Sequence, residues 1–161
     1  MSHSFFDEVI RGDPRLLVAV RVSDPSLLEP ATRSAVSAIL SDASALGIPL
    51  MVYETYRSQA RQEMLFRAGV TRLEKVGVHH YGLAADLVRC LDGEPSWKGD
   101  FSFLGELARK HGLIWGGDWG DPDVRHSFVD VFHLQRCSLK REPSLFAGEW
   151  YPDASDNPYQ D

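Results

Sequence analysis

The sequence predicts one domain that mixes helices with strands, and three observations lead to this prediction. With 161 residues, 43% of them hydrophobic, the chain can bury one core of ordinary size. Apolar side chains recur at helical spacing through residues 30–46, whereas β-prone runs cover residues 84–91 and 128–134. No repeat, low-complexity tract or Gly/Ser linker marks a second unit, so residues 1–148 are expected to form a single domain.

The first elements follow from periodicity and from turn residues. The helix at residues 30–46 is expected to end at Gly47, and the β-branched run at residues 50–55 predicts a strand. Residues 16–22 allow two interpretations. Their β-branched side chains favour a strand, but their position after Asp13 and a proline suits the start of a helix.

Two further helices are predicted from their caps. Ser58 is placed to cap a helix that Gly69 ends, and Asp100 is placed to cap another that ends near His111. By spacing, the inward side of the first of these helices is expected to carry Ala60, Met64, Leu65 and Ala68.

The remaining segments are rich in turn residues. Residues 92–100 and 116–123 are expected to be loops, long enough to carry a functional site. From Glu149 the composition shifts to Pro, Asp and Asn without an apolar period, so residues 149–161 are expected to form a C-terminal surface tail.

Composition and charge exclude several classes of partner. The net charge of −6 and the lack of Lys/Arg clusters argue against nucleic-acid binding. The apolar runs are too short to cross a bilayer, so no membrane partner is expected. Residues 1–13 lack the basic start and apolar stretch of a signal peptide, which predicts a chain that is cytoplasmic as synthesised. The sequence leaves the oligomeric state open, and we expect a monomer.

The first chemical cluster is His79-His80-Tyr81-Gly82-Leu83-Ala84-Ala85-Asp86. His79 and Asp86 are residue types that bind divalent metals, and Gly82 and Ala84 leave room for a tight backbone turn beside them. Alone, this spacing is more typical of a surface histidine and a helix-capping or loop aspartate than of a metal site.

The second cluster is Asp130 and His133, which interrupt an apolar, β-prone run. Their burial without a charge partner or a metal would be costly. Since an ideal strand directs residues three apart to opposite faces, the segment must bend if both side chains are to face one cleft. The alternative is a core histidine that is hydrogen-bonded to Asp130.

Together the clusters resemble a known family. The patterns H-x-x-G-x-A-x-D and D-x-x-H are similar to those of zinc murein peptidases, which include phage L-alanyl-D-glutamate endolysins, D-alanyl-D-alanine carboxypeptidases and vancomycin-resistance dipeptidases. Tyr56-Arg57-Ser58 and the Trp-Gly-Gly-Asp-Trp segment at residues 115–119 resemble further motifs of that family, in the same order. The resemblance spans residues 13–135. It implies an α+β fold in which a small antiparallel sheet, flanked by helices, carries a zinc cleft.

The resemblance also implies the roles of five residues. His79, Asp86 and His133 match the ligands of one zinc ion and leave a coordination position open for water, as in catalytic rather than structural sites. Asp130 matches the general base, and Arg57 matches the arginine that steadies the substrate carbonyl. The alternative for Arg57 is a salt bridge to Glu54 or a solvated helix start. We expect Trp115, Trp119 and Tyr81 to wall the cleft and Asp118 to orient a ligand histidine. His80 and His126 are not in the predicted ligand set.

Two features of the chain leave questions about the site. The family usually has Ser two residues before the first ligand, where this chain has Gly77, so a less rigid ligand loop is expected. Cys90 and Cys137 are expected to be reduced thiols, because two cysteines without a CxxC pattern do not form a disulfide framework. Their sulfurs would approach each other only if the two ligand strands ran in the same direction.

The predicted function is a zinc peptidase (a peptidoglycan hydrolase) that cuts an amide in the peptidoglycan stem peptide. The Trp-Gly-Gly-Asp-Trp segment and Asp rather than Glu at Asp130 favour an L-alanyl-D-glutamate endopeptidase over a D-alanyl-D-alanine carboxypeptidase or dipeptidase. Such an enzyme would act on the cell wall after release, as an endolysin does, or on recycled muropeptides. Two other classes remain: a mononuclear iron oxygenase, which also uses two His and one carboxylate, and a non-catalytic zinc-containing module that binds murein, if Gly77 spoils the site.

Overall fold

The computed structural model describes residues 4–120 and 129–161, and these form an α+β domain built on one antiparallel sheet. Its regular elements are α1 Pro30–Ala45, β1 Leu50–Glu54, α2 Gln59–Arg67, β2 Ala84–Leu91, β3 Glu94–Ser96, α3 Phe103–Lys110, β4 Ile114–Trp115, β5 His133–Gln135 and α4 Glu142–Phe146. The strand order is β1-β2-β5-β4, and β3 pairs with the far end of β2. The predicted fold class is confirmed.

The register of the central strands places three chemical groups in one row. Asp86 of β2 lies opposite Glu54 of β1 on one side and opposite His133 of β5 on the other. Residues that are directly opposite in an antiparallel pair project from the same face of the sheet. The row Glu54, Asp86 and His133 therefore lies on one face.

The other face of the sheet carries the core. Because side chains alternate along a strand, Ala85 and Leu87 of β2 project away from Asp86, and Leu134 projects away from His133. These three residues are fully buried against α1 and α3. The helices contribute the remaining core side chains, which include Val36, Ile39, Ala43, Leu104, Leu107 and Ala108. The sheet thus has a packed face and a face that is available for chemistry.

The strand that ends in the second cluster is shorter than predicted. Only His133–Gln135 is a strand, whereas residues 129–132 form an irregular turn, and residue 128 lies outside the described residues. The Asp130 side chain accepts a hydrogen bond from the Phe132 backbone N–H (3.2 Å), and the Asp130 carbonyl accepts one from the His133 N–H (3.3 Å). This aspartate-centred turn competes with the strand ladder and supplies the required bend.

Several local predictions differ from the structure. Helix α3 begins at Phe103, so Asp100 is not its N-cap as predicted. The Asp100 carboxylate instead accepts hydrogen bonds from the N–H and the hydroxyl of Ser102, in a turn that precedes the helix. The segment predicted as the 92–100 loop contains β3. Residues 16–22 form neither predicted element: a short 3₁₀ turn ends at Leu17 and the chain then runs extended.

Helix α2 was predicted correctly in position but not in orientation. Ser58 caps it and Gly69 follows it with φ +74°, as expected. However, Met64 and Ala68 are exposed, and the buried residue of the helix is Gln62. The Gln62 amide donates to the Leu73 carbonyl (2.7 Å), so α2 packs through a polar contact that apolar periodicity does not register.

The C-terminal segment is joined to the body of the domain by two tyrosines and an arginine. Residues 149–161, which we expect to be a surface tail, contribute Tyr151, whose hydroxyl donates to the Tyr81 carbonyl, and Tyr159, whose hydroxyl donates to the Leu113 carbonyl. Arg136 donates to backbone carbonyls of the same segment. Among residues 4–120 and 129–161, no helix is both long and apolar enough to span a membrane.

Both cysteines are free thiols. Strands β2 and β5 are antiparallel, so Cys90 lies beyond Asp86 and Cys137 lies beyond His133 in opposite directions. Burial raises the pKa of the Cys137 thiol, which keeps it protonated. The expectation of unpaired thiols agrees with this arrangement, and the alternative of two strands running in the same direction is wrong.

Candidate active site

Three potential ligand atoms converge on the face of the sheet that lies opposite the core. The Nε2 atom of His79 and the Nδ1 atom of His133 each lie 3.3 Å from Oδ1 of Asp86. One ligand atom from each residue lies within 4.8 Å of the other two. The structure therefore brings together the three predicted metal ligands, from a turn and from two paired strands.

Hydrogen bonds on the far side of each ring determine which nitrogen faces the centre. Nδ1 of His79 lies 2.7 Å from the Thr55 carbonyl, and Nε2 of His133 lies 2.7 Å from Oε1 of Gln135. A carbonyl oxygen can only accept a hydrogen bond. The Gln135 side chain presents its oxygen to His133, because its amide N–H donates to the Cys137 carbonyl. Each ring therefore carries its proton on the outer nitrogen, and a bare lone pair points inward.

Asp86 completes a set of inward-facing acceptors. Within the described residues, its Oδ1 is buried and has no hydrogen-bond donor, although it lies close to both imidazoles. Burial raises the pKa of this carboxyl, yet the pKa lies below its ordinary value, so Asp86 is ionised. Three acceptors without a donor between them are costly unless a cation lies at their centre. This donor set fits a divalent metal ion.

The turn that presents His79 is held by backbone contacts. Gly82 ends the turn Val78–Tyr81 with φ +74°, and a Cβ there would lie 2.7 Å from the Leu27 carbonyl oxygen, so the motif requires glycine at this position. The His79 carbonyl accepts from the Arg57 N–H (3.3 Å) while its ring donates to Thr55. Gly77 offers no side-chain cap. The reciprocal bonds with residues 55–57 anchor the turn instead.

Arg57 lies beside the ligands and is held by a buried carboxylate. Its Nη2 is 2.9 Å from Oε1 of Glu54 and 3.5 Å from Oδ2 of Asp86, and its Nη1 donates to Gln62. Burial lowers the pKa of Arg57, but Asp86 and Glu54 raise it by more, so the guanidinium stays charged. Glu54 also accepts from Nε of Arg61 (3.0 Å). Two guanidiniums thus share one glutamate.

Asp130 is positioned by the segment at residues 115–119. Trp115 donates its indole N–H to the Val131 carbonyl (2.7 Å), and the Asp130 N–H donates to the Gly116 carbonyl (3.1 Å). A side chain at Gly116 would collide with the Asp130 carbonyl oxygen. Burial and the nearby charge of Asp86 raise the pKa of Asp130, which makes it a stronger proton acceptor than a solvated carboxylate.

All five predicted site residues line one cavity of about 770 Å³. Trp119 lines it, as expected, but Trp115 and Tyr81 do not; Trp97 of the β3 region does so instead. Asp118 was expected to orient a ligand histidine, and this is wrong: it pairs with Arg109 at 3.0 Å. Nδ1 of His80 lies near the Arg57 carbonyl (3.2 Å), away from the ligand centre, and His126 lies outside the described residues.

The sequence interpretation missed Gln135 and Glu142, and it considered Glu54 only as a salt-bridge partner in the alternative, non-catalytic interpretation of Arg57. Gln135 orients His133, Glu54 holds Arg57, and Glu142 of α4 lines the cavity. Burial raises the pKa of the Glu142 carboxyl to about 7. The alternation of His133 and Gln135 along one strand could have indicated a shared face for these two. For Glu142 the signal lies only in tertiary packing.

The fold and the site together fit a hydrolase-type metal centre: two imidazoles and one carboxylate at an open cleft, with a charged arginine and a second carboxylate beside them. Comparisons with known proteins narrow this class. A family model described as D-alanyl-D-alanine carboxypeptidase matches residues 74–135. The peptidoglycan L-alanyl-D-glutamate endopeptidase CwlK of Bacillus subtilis (strain 168) is 30% identical over 130 residues, which are 69% of this chain and 74% of CwlK.

Solved structures agree with the fold. The L-Ala D-Glu endopeptidase ChiX of Serratia marcescens matches with a TM-score of 0.56 and 24% identity, over 73% of this chain and 90% of ChiX. A variant of the vancomycin resistance D,D-pentapeptidase VanY in complex with Zn(II) matches with a TM-score of 0.54 and 16% identity, over 74% of this chain and 78% of that one. The chain belongs to the murein peptidase family that contains the D-alanyl-D-alanine carboxypeptidases and the L-alanyl-D-glutamate endopeptidases.

Proposed function

We propose that the chain is a zinc-dependent peptidase that hydrolyses the L-alanyl-D-glutamate amide in the stem peptide of peptidoglycan. The convergence of the inward lone pairs of His79 and His133 with Asp86 Oδ1, in the same cavity as Arg57 and Asp130, carries this proposal. The activity of CwlK, which its name states, supports the choice of bond. The donor set of two imidazoles and one carboxylate suits zinc and leaves one coordination position open.

Each of the chain's own groups has a distinct task in this reaction. His79, Asp86 and His133 hold one zinc ion, which when bound lowers the pKa of a water molecule to about 7 and polarises the scissile carbonyl. Asp130 accepts the proton of the attacking water and transfers it to the leaving amine nitrogen as the C–N bond breaks. Arg57 donates hydrogen bonds to the carbonyl oxygen while that oxygen gains negative charge.

The charge of the cavity wall supports a substrate with a carboxylate next to the scissile amide. Arg57 and Arg61 carry two positive charges and share Glu54 as their common acceptor. A D-glutamyl residue that continues through its γ-carboxyl keeps its α-carboxylate beside the amide that joins it to L-alanine. This carboxylate would face the arginine side of the cavity, where ion pairing contributes to orientation.

A D-alanyl-D-alanine carboxypeptidase is the second candidate, because the family model that matches residues 74–135 carries that description. Its substrate also has a carboxylate one residue from the bond that is cut. The two activities release different products, so mass spectrometry separates them. Endopeptidase action leaves a new D-glutamyl amino terminus, whereas carboxypeptidase action releases free D-alanine.

The experiment is digestion of defined muropeptides by the zinc-loaded chain, followed by mass spectrometry. We expect cleavage after L-alanine, and release of D-alanine alone would contradict the proposed bond. Asp130→Asn is expected to lower turnover by about 1000-fold or more while the zinc content stays at one per chain. Asp118→Asn is the matched control, since Asp118 pairs with Arg109 outside the cavity. Full turnover by Asp130→Asn would exclude the role of Asp130.

We further propose that the enzyme acts as a monomer with one zinc ion, either on the cell wall after release from the cytoplasm or on recycled muropeptides. The His79, Asp86 and His133 set is the one group of potential ligands found among residues 4–120 and 129–161. Metal analysis and light scattering on the purified chain test these statements. Two metal ions per chain, or a stable dimer, would contradict them.

A further inference from the structure

A second cavity lies next to the candidate active site but shares no lining residue with it. This cavity, of about 520 Å³, is walled by aromatic rings from three parts of the chain, and we call it the aromatic pocket: Phe6, Tyr81, Phe146, Trp150 and Tyr151. Its volume falls within the usual range of small-molecule sites, which is about 300–1,000 Å³.

Two chain segments connect the aromatic pocket to the active-site cavity. Helix α4 contributes Glu142 to the active-site cavity and Phe146 to the pocket. Residues four apart lie on the same face of a helix, with Cβ atoms about 6 Å apart. Likewise, the turn Val78–Tyr81 contributes His79 to the active site and Tyr81 to the pocket. The two cavities are therefore neighbours across one helical turn.

The rings of the pocket form a connected apolar surface. The Tyr81 ring lies 5.0 Å from the Phe6 ring and is stacked on the Phe146 ring at 6.0 Å, with an interplanar angle of 29°. Phe146 keeps 42% of its surface exposed although the ring stack is beside it. An exposed aromatic ring beside other rings offers a flat apolar platform to a ligand.

The charged groups around the rings favour an uncharged ligand with hydroxyl donors. Asp7 is paired with Arg11 at 2.8 Å, and Asp153 accepts from the N–H and hydroxyl of Ser155. Glu149 adds a further carboxylate to the lining. Carboxylate oxygens can accept additional hydrogen bonds from hydroxyls, whereas a second carboxylate would be repelled. An anionic peptide is thus disfavoured here.

We propose that the aromatic pocket binds a pyranose ring of the glycan strand, namely the N-acetylated sugar to which the stem peptide is attached. The C–H face of such a ring packs on aromatic side chains, and its hydroxyls donate to carboxylates. This inference rests on the proposed function, because it supplies the N-terminal side of that substrate. It makes the enzyme selective for stem peptides that are still joined to their sugar.

The dimensions of the substrate agree with this placement. In peptidoglycan one alanine and one lactyl group separate the sugar ring from the L-alanyl-D-glutamate amide. An extended residue spans about 3.5 Å, so the two units together place the ring about 7 Å from the scissile bond. That span is comparable to the distance along the turn from the ligand His79 to the pocket residue Tyr81, because two residues reach at most about 7 Å.

The kinetic test compares one tripeptide, L-alanyl-γ-D-glutamyl-diaminopimelate, in free form and joined to N-acetylmuramic acid. We expect kcat/KM to be about tenfold higher for the sugar-linked form. Phe146→Ala should reduce that preference to about twofold and leave the free tripeptide unchanged. Phe66→Ala is the matched control, because Phe66 is exposed to a similar degree (39%) and lines neither cavity. An equal loss on both substrates, or no preference in the unchanged enzyme, would overturn the proposal.

A binding test separates this inference from the proposed function. The isotope-labelled full chain is titrated with the disaccharide N-acetylglucosaminyl-N-acetylmuramic acid, with its lactyl carboxyl converted to the amide so that the probe is uncharged as in the substrate. A separate titration uses L-lysine amide, a cationic probe of the same carboxylates. We expect the disaccharide to shift the resonances of Phe146 and Trp150 with a Kd of about 1 mM, and Phe146→Ala to abolish this shift. If the tripeptide is cut in neither its free nor its sugar-linked form but the disaccharide binds, the proposed function is wrong and the sugar site is still supported. Shifts with lysine amide alone, or with neither probe, would exclude a sugar site.

Discussion

The two sides of the candidate metal site are built from different kinds of backbone. On the strand side, Asp86 and His133 lie opposite each other in paired strands, and Gln135 of the same strand orients His133. On the turn side, His79 lies in a short helical turn and is oriented by the Thr55 carbonyl. One histidine thus depends on a neighbouring side chain, and the other depends on the path of the backbone.

This difference determines which substitutions can change the orientation of each histidine ring. A side-chain acceptor can be removed by mutation, so the orientation of His133 depends on the identity of residue 135. A backbone carbonyl persists under almost any substitution, so the orientation of His79 depends on the geometry of residues 54–57. Buried Glu54, which pairs with Arg57 and Arg61, stabilises that geometry. The comparison predicts separate effects on metal affinity and on stability.

The largest effect is expected at Asp86, which joins the two sides. Its carboxylate lies 3.3 Å from both imidazoles and 3.5 Å from the Arg57 guanidinium. Asp86→Asn removes the charged ligand, so hydrolysis should fall by about 1000-fold or more, which corresponds to about 4 kcal/mol. Zinc affinity, measured by competition with a chelator, should fall by about 100-fold or more. Unchanged zinc affinity would show that the two sides do not share a metal ion.

The next effect is expected at Glu54, on the turn side. Glu54 is 2% exposed, and Glu54→Gln leaves two buried guanidiniums without their anionic partner. Breaking a buried ion pair from one side costs about 3 kcal/mol of unfolding free energy, measured by urea denaturation. Zinc affinity should change by less than about tenfold, because no ligand loses its hydrogen bond. Glu94→Gln, in an exposed strand, is the control and should leave both quantities unchanged.

The paired substitutions Gln135→Leu and Thr55→Val test the comparison directly. Gln135→Leu removes the acceptor of His133, and zinc affinity should fall by about 10- to 100-fold. Thr55→Val keeps the carbonyl that orients His79 but deletes the hydroxyl that donates to the Asp24 carbonyl (2.9 Å). It should lower stability by about 1 kcal/mol and leave zinc affinity unchanged. Equal losses of zinc affinity in both variants would invalidate the distinction between the two sides.

The sequence predicted the backbone of the strand side better than the side chains that orient the ligands and Arg57. Strand β2 was predicted with its observed bounds, because its β-prone run has turn residues at both ends. The bend before His133 was also required by spacing, and the turn at Asp130 provides it. Gln135 was not recognised, since an amide beside a histidine has no motif of its own. Glu54 was considered only as an alternative partner of Arg57, and its second partner, Arg61, is brought close by the position of α2.

The inward face of α2 shows the same limit in the fold. Apolar spacing selected Met64 and Ala68 as buried, but both are exposed, and Gln62 is buried in their place. Periodicity ranks residues by hydropathy, whereas this helix packs against polar backbone in the segment that follows it. Tertiary hydrogen bonds of this kind are determined by the folded chain and not by a local pattern.

The smallest predicted effect concerns Glu142, the carboxylate that α4 places on the active-site cavity. Burial raises its pKa from 4.5 to about 7, so between these pH values the folded chain binds more protons than the unfolded chain. Stability should therefore fall as pH rises from about 4.5 to about 7 and then level off. In the metal-free chain, Glu142→Gln should remove this decline and raise the unfolding free energy at pH 8 by about 1 kcal/mol.

Urea unfolding at pH 5 and pH 8, with chelator present, measures this difference for Glu142→Gln and for the exposed control Glu74→Gln. Only Glu142→Gln should gain stability at pH 8, because burial deprives the ionised Glu142 carboxylate of the water that solvates an exposed one. If both variants behave alike, the α4 carboxylate is solvated. The active-site cavity would then contain an ordinary solvated acid on α4 rather than a buried proton-binding group.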